Sequence, residues 1–313
     1  MKKKSIMSYN DRQLISNIFI KSGDLSYGKI DVQDPRVDTI TLLNVDGLKN
    51  KQDFVFELQK ISCFSTDNFS LYFYTPNNIS IFHYLYKDNL KKYKLILKNH
   101  VLKNDVGNDY EEYNDSPIHK ITINSKMVYE MIQYAELSII MGYTTIEAFV
   151  NYSIPDDYIF QEKNNKGIIE SYNRLAIERN LKLSVKIKKI ISYIYEIEDI
   201  SIQPFWSRFI ELENIRNSIV HSKAEEKELF HKLFDVNTIK ILESVNELLD
   251  YFWNAKKDNF PMFDCNGKLS FKNAIIDAKK VKEMNVGLIN DIDNDYSLEE
   301  LLNKFKSDIS VNK

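Results

Sequence analysis

The ten residues 213–222 decide how we interpret this chain. They read Glu213-Asn214-Ile215-Arg216-Asn217-Ser218-Ile219-Val220-His221-Ser222. Apolar side chains in and before this stretch recur at spacings of three and four, which is typical of one buried helical face; they are Phe205, Phe209, Leu212, Ile215 and Ile219. The pattern predicts an amphipathic helix that carries an arginine, an asparagine and a histidine close to its C-terminal end.

We expect this helix to end at His221. The following Ser222-Lys223-Ala224-Glu225 has the Ser-x-x-Glu form of a capping box, which begins another helix. His221 would then lie beside carbonyl groups that have no partner within the helix, and their partial negative charge favours the protonated imidazole. A histidine in this position can transfer a proton near neutral pH.

Arg216, Asn217 and His221 supply the groups needed to act on a phosphate without a metal ion. Asn217 and His221 are four positions apart and share a helical face, whereas Arg216 projects to one side and reaches by its length. Arginine offers a planar fork that matches two phosphate oxygens, and asparagine adds a neutral donor and acceptor. We therefore take these three as candidate catalytic residues and predict no cofactor and no metal.

The motif Arg-Asn-x-x-x-His, after the aromatic turn Pro204-Phe205-Trp206, resembles the signature of the HEPN superfamily. The resemblance covers about residues 125–256, and its three family positions fall on Arg216, Asn217 and His221. It implies an all-helical domain that acts as a metal-independent endoribonuclease of bacterial toxin–antitoxin or anti-phage (abortive infection) systems. It further implies an RNA substrate, a homodimer that joins two motifs, and an antitoxin or sensor as a further partner.

The same residues leave other interpretations open. Members of this family often carry an acidic residue on the first helix near the motif arginine, so Glu147 either pairs with Arg216 or stays solvated. Arg216 could also pair with Glu213 while His221 only caps its helix. A rival hypothesis is a non-catalytic module in which the bundle docks a partner protein or a nucleotide and Arg216 serves as an anion anchor. A third is that the bundle only dimerises while the N-terminal domain acts.

Composition sets limits on function. The chain has 313 residues, of which 43% are hydrophobic and 28% charged, as in an ordinary soluble protein with room for two cores. Its net charge of −3 argues against a general nucleic-acid coat, so RNA would need a local basic patch. The row Lys182, Lys186 and Lys189 could provide one, although such a row is more often a solvated face.

Neither the cysteines nor the apolar segments point outside the cytoplasm. Cys63 and Cys265 lie far apart without metal-ligand spacing, so the sequence indicates neither a zinc site nor a disulfide framework. Glu136 and Glu147 interrupt the most apolar helix, which leaves no run of about 20 apolar residues that could span a bilayer. We therefore expect a cytoplasmic protein without a membrane partner.

The predicted fold class is α+β. A mixed or mostly β N-terminal domain over residues 1–124 would serve recognition or sensing, a helical bundle would follow over 125–257, and a C-terminal appendage over 258–313. Within the first range, the pattern predicts strands at 37–45 and 119–123, a hairpin of 71–75 and 79–84, and a helix at 53–61.

The predicted bundle rests on apolar stripes. The first helix carries Val128, Ile132, Ala135, Ile139, Gly142, Ile146 and Phe149; a later helix at 183–195 carries Leu183, Ile187, Ile190 and Ile194; the last carries Leu242, Val245, Leu249 and Phe252. Between them, 156–167 reads as a polar connection and 168–178 as a helix. In the appendage, 271–284 reads as weakly helical, and the acidic 291–295 could cover the lysine row, although a loosely packed tail fits better.

Overall fold

The computed structural model describes residues 8–21, 34–46, 53–65, 69–101, 125–221, 227–258, 260–277, 285–288, 291–297, 300–301 and 303. The strands are β1 (Ser8–Lys21), β2 (Ile40–Asp46), β3 (Asp53–Ser65), β4 (Ser70–Tyr74), β5 (Ile159–Lys163), β6 (Ile169–Asn173), β7 (Asp264–Cys265), β8 (Lys268–Leu269), β9 (Phe271–Asp277), β10 (Asn285–Leu288) and β11 (Asp291–Ser297).

The helices are α1 (Asn78–Ile96), α2 (Ser125–Ser153), α3 (Arg174–Asn180), α4 (Leu183–Val185), α5 (Ser192–Ile194), α6 (Trp206–Val220), α7 (Lys227–Leu233) and α8 (Asn237–Ala255). A π-helical segment, Leu97–Val101, extends α1, and a second one, Lys186–Ile191, joins α4 to α5. A 3₁₀ turn, Ile200–Ile202, precedes α6.

The chain has two compact units, and the predicted α+β class is confirmed. One unit joins residues 1–80 to residues 256–313, and the other contains 81–255. The predicted ranges placed boundaries after residues 124 and 257 instead. The difference arises because strands near the C-terminus pair with N-terminal strands, and because most of α1 belongs to the helical unit.

The first unit is built on a seven-stranded sheet in the order β11-β10-β1-β3-β2-β9, with β4 also paired to β3. Strands β1, β2 and β4 lie antiparallel to β3, whereas β9 runs parallel to β2 and β10 parallel to β1. The predicted strand at 37–45 is confirmed as β2. The candidate strand at 119–123 lies outside the described residues.

Two predictions for the N-terminal part of the chain were wrong, and both errors concern helix and strand type. The predicted helix at 53–61 is the strand β3, which is paired with other strands on both of its edges. The predicted hairpin strand at 79–84 belongs to α1, whose buried positions Ile79, Tyr86 and Tyr93 follow helical spacing. Asn77 marks the helix start, because its side-chain oxygen accepts a hydrogen bond from the Ser80 amide at 3.2 Å.

The C-terminal residues are also more regular than predicted. Residues 271–277 form β9, so the weakly helical interpretation was wrong there, and the acidic 291–295 lie in β11. Asn266-Gly267 forms the two-residue turn of a hairpin between β7 and β8, with positive φ at both residues. The acidic segment is therefore a sheet strand and not a loose tail.

The second unit packs α6 and α8 against α2. The predicted stripe of α2 is confirmed from Ala135 to Phe149, and all four predicted positions of α8 are fully buried. Phe252 of α8 stacks on Phe149 of α2, with ring centroids 5.2 Å apart, and also contacts Tyr195 at 5.6 Å. This aromatic cluster lies in the core between α2 and α8.

The connection after α2 differs from its prediction. Residues 159–163 and 169–173 form the antiparallel hairpin β5–β6, so the polar connection contains a strand, and the predicted helix at 168–178 begins only at Arg174. Asn173 caps α3 by accepting a hydrogen bond from the Ala176 amide at 2.9 Å. Short strands with exposed isoleucines are hard to distinguish from loops by periodicity alone.

Two tyrosines attach α1 to the other helices of this unit. The Tyr86 hydroxyl donates to the Leu242 carbonyl of α8 at 2.7 Å, and the Tyr93 hydroxyl donates to the Leu233 carbonyl of α7 at 2.8 Å. Both side chains are fully buried. Across the described residues, the helices are too short or too polar to cross a membrane.

Candidate active site at the end of helix α6

The three predicted site residues lie at the C-terminal end of α6, as the sequence pattern indicated. The helix ends at Val220, and His221 is its C-cap residue, whose amide donates to the Asn217 carbonyl at 3.0 Å. Asn217 and His221 are exposed, whereas Arg216 is half-buried. The predicted capping box at 222–225 lies outside the described residues.

Arg216 is held by a neighbouring amide and by an aromatic ring. Its Nη1 donates to Oδ1 of Asn217 at 3.0 Å, and its guanidinium carbon lies 4.7 Å from the centre of the Tyr143 ring. That distance is typical of a cation–π contact. Its Nε is buried and has no hydrogen-bond partner among the described residues. The guanidinium is therefore oriented without being neutralised by a carboxylate in that part of the chain.

Tyr143 connects α2 to α6 beneath this arginine. It is only 6% exposed, and its hydroxyl donates to Oε1 of Glu213 at 3.2 Å. Burial raises the pKa of the Tyr143 hydroxyl well above its usual value, and the negative charges of Glu213 and Glu147 raise it further. The hydroxyl thus stays protonated and keeps donating to Glu213 throughout the physiological pH range.

Neither glutamate considered in the sequence is an ion-pair partner of Arg216. In the described structure, no salt bridge joins Arg216 to Glu147 or to Glu213. Glu213 accepts from Tyr143 instead, and Glu147 is close enough to act electrostatically on Tyr143 and on Lys186. The described structure therefore contains neither of the two Arg216 ion pairs that the sequence left open.

The lysine row does not form the basic patch that its spacing suggested. Lys186 is 1% exposed, and its Nζ donates to Oδ1 of Asn151 at 3.0 Å and to the Glu178 carbonyl at 2.9 Å. Burial lowers the pKa of Lys186, although nearby Glu147 and Glu178 oppose that shift. Lys189 forms an ion pair with Glu162 of the β5–β6 hairpin. Only Lys182 of the three is exposed without such a role among the described residues.

His221 is joined to the other two residues through the backbone of the last helical turn. Its side chain makes no hydrogen bond or ion pair with another described residue, so the imidazole is accessible to a ligand. The described residues also contain no cluster of three or more His, Cys, Asp or Glu side chains arranged to hold a metal ion. The groups that this end of α6 offers to a ligand are thus the guanidinium of Arg216, the amide of Asn217 and the imidazole of His221.

Tyr143 is a functional residue that the sequence pattern did not predict. A tyrosine next to the apolar stripe of α2 is ordinarily a core residue, and nothing in the local spacing connects it with an arginine 73 positions later. Its position one turn before Glu147 was the available signal, because a tyrosine with a buried ring needs a partner for its hydroxyl.

Comparisons with protein-family models, with curated proteins and with solved structures found no significant match.

Proposed function

We propose that this protein is a metal-independent endoribonuclease of the HEPN type, and that residues 125–257 contain its HEPN-like helical bundle. The observation that carries the proposal is the state of Arg216. Its guanidinium is oriented by Tyr143 and Asn217 without a carboxylate partner in the described residues, and an exposed histidine ends the same helix five residues later. An arginine in this state can receive a phosphate.

The proposed reaction is attack of an RNA 2′-hydroxyl on its own neighbouring phosphorus. The oxygen of that hydroxyl forms a bond to phosphorus while the bond to the 5′-oxygen breaks, which leaves a 2′,3′-cyclic phosphate and a 5′-hydroxyl. The nucleophile is already held next to the phosphate, so the protein supplies mainly proton transfer and charge stabilisation. DNA lacks the 2′-hydroxyl and is therefore inert.

Each candidate residue has one role in this reaction. His221 transfers a proton, since its imidazole is exposed and unengaged by described side chains. Arg216 stabilises the charge that develops on the phosphate oxygens, and Asn217 holds the arginine through the 3.0 Å hydrogen bond. One imidazole cannot remove and deliver a proton at the same moment, so we propose a homodimer in which two motifs meet. An antitoxin or sensor partner and a defence role follow from the family resemblance, whereas a cytoplasmic location follows from the cysteine and hydropathy pattern of the sequence.

A binding module is the second candidate function. The exposure of Asn217 and His221 beside a half-buried, oriented Arg216 is enough to favour it, because such a guanidinium can bind an anionic nucleotide or partner protein without any turnover. In that case, binding of the ligand would weaken as the salt concentration rises, and no product would form.

The test is cleavage of labelled tRNA and mixed cellular RNA by purified protein in the presence of EDTA. Arg216→Ala and His221→Ala are compared with the matched controls Arg179→Ala and His231→Ala, which alter exposed residues on other helices. A 2′-deoxy substrate of the same sequence tests the need for the nucleophile. Mass spectrometry of the products identifies the cyclic phosphate.

The nuclease proposal predicts cleavage that survives chelation, ends in a cyclic phosphate, and falls by a factor of about 100 or more in both motif variants but in neither control. Salt-sensitive binding of RNA by the wild type, lost in Arg216→Ala and without any product, would identify the binding module instead. Cleavage that persists in both motif variants would remove this site from the mechanism.

A further inference from the structure

We propose that Tyr143 is a positioning residue that keeps the charge of Arg216 available to a phosphate by holding Glu213 away from it. This inference rests on the proposed function for its activity readout, and a second readout below is independent of catalysis. Tyr143 does two things at once: its ring supports the guanidinium, and its hydroxyl engages the carboxylate that would otherwise neutralise it.

The competition comes from the helix itself. Glu213 and Arg216 are three positions apart on α6, and oppositely charged residues at that spacing are neighbours that form ion pairs. The structure instead places the Glu213 carboxylate against the Tyr143 hydroxyl of α2, at 3.2 Å. Removing that hydroxyl would release Glu213, and the nearest cation of α6 that could then receive it is Arg216.

The ring contact explains how Arg216 stays oriented without an acidic partner among the described residues. Its guanidinium carbon lies 4.7 Å from the Tyr143 ring centre, and its buried Nε has no partner among the described residues. A buried donor without a hydrogen bond is unfavourable, and such groups in native structures call for an explanation. The explanation here is that the π face stabilises the cation while leaving the outer guanidinium nitrogens with their charge.

The two contributions of Tyr143 can be separated by mutation. Tyr143→Phe keeps the ring and removes the hydroxyl, whereas Tyr143→Leu removes both. In Tyr143→Phe, Glu213 is free to pair with Arg216, and we expect kcat/KM for RNA cleavage to fall about tenfold. Glu213→Gln removes the competing charge, so the double variant Tyr143→Phe/Glu213→Gln should recover to the level of Glu213→Gln alone.

The rescue is the part that a merely structural role cannot reproduce. If Tyr143 only filled space in the core, adding Glu213→Gln to Tyr143→Phe would give no recovery. Tyr143→Leu should stay impaired with or without Glu213→Gln, because the ring support is lost. Tyr129→Phe, at a 69% exposed position of the same helix, is the matched control and should behave as the wild type does. Absence of rescue in the Tyr143→Phe/Glu213→Gln protein overturns the proposal.

A readout without catalysis distinguishes failure of this inference from failure of the proposed function. The side-chain NMR resonances of Arg216, assigned by their loss in Arg216→Lys, are followed during titration with inorganic phosphate. We expect phosphate to shift these resonances in the wild type and to shift them several-fold less in Tyr143→Phe. In the double variant Tyr143→Phe/Glu213→Gln the full shift should return. If no RNA is cleaved but this pattern holds, the nuclease proposal fails and the role of Tyr143 stands. An identical phosphate response in the wild type and Tyr143→Phe overturns it.

Discussion

The Tyr86 hydroxyl provides a sharp test of the packing between α1 and α8. This hydroxyl donates to the Leu242 carbonyl at 2.7 Å from a side chain with no solvent exposure. Burial raises its pKa well above the ordinary value of 10, and the carboxylates of Glu243 and Glu247 act in the same direction. Tyr86→Phe therefore changes stability in two ways that depend differently on pH.

Near neutral pH only the hydrogen bond matters. Its loss should lower the free energy of unfolding of Tyr86→Phe by about 1 kcal/mol, the usual net worth of such a bond. In alkali the wild type has an additional disadvantage. The folded pKa is raised, so the protonated hydroxyl stabilises the fold fully below pH 10, and this stability is lost as unfolded chains ionise above that pH.

The loss reaches about 0.4 kcal/mol at pH 10 and about 1.4 kcal/mol at about pH 11, and Tyr86→Phe does not suffer it. The two proteins should therefore have equal free energies of unfolding at about pH 10.6, and the variant should be the more stable one above that pH. Urea unfolding followed by near-ultraviolet circular dichroism at a series of pH values measures the free energy of unfolding of each protein. Curves that stay parallel across this range would refute a buried, protonated Tyr86. Tyr129→Phe, with its exposed ring, should show no crossing.

Three further outcomes are expected from the same unit. Burial lowers the pKa of Lys186, so the wild type should gain stability between neutral pH and about pH 10, because the folded lysine loses its proton before the unfolded one does. Lys186→Met should lack this gain. Urea unfolding at the two pH values measures it, and Lys182→Met, at an exposed position, should keep it. Phe252→Ala should lower the free energy of unfolding by about 3–5 kcal/mol, since it empties a fully buried position stacked on Phe149; a loss under about 1 kcal/mol in urea unfolding would contradict that packing. Asn173→Ala should cost about 1 kcal/mol by removing the cap of α3, whereas Asn173→Ser should retain most of it; equal unfolding of the two variants would argue against the cap.

Local spacing in the sequence was enough to predict the helix that carries the candidate site. The apolar positions before and along α6 and in α8 repeat every three or four residues, and the structure buries all of those predicted except Ile219, which is half-buried. The same periodicity gave α2 from Ser125 onward and placed Arg216, Asn217 and His221 at a helix end. These features depend on residues that are close together in the chain, so a pattern can reveal them.

Predictions failed where the structure of a segment depends on contacts with a distant part of the chain. The segment 79–84 is rich in aromatic and β-branched residues, yet it lies in α1, where Tyr86 and Tyr93 find backbone carbonyls on α8 and α7. The segment 271–277 becomes a strand because β2, more than 200 residues earlier, offers it a parallel edge. Tertiary pairing overrides weak local preference in both cases.

The sequence by itself determined the chemical groups of the candidate site and their order along one helix. Only the tertiary structure decided the state of those groups, because that state depends on α2. Tyr143 of α2 places its ring under Arg216 and takes Glu213 as its acceptor, while packing around Lys186 turns an apparent surface lysine into a buried one. Helical spacing determines which side chains are neighbours on the same helix. Which of the possible partners a side chain binds depends also on the residues of the other helices packed against that helix.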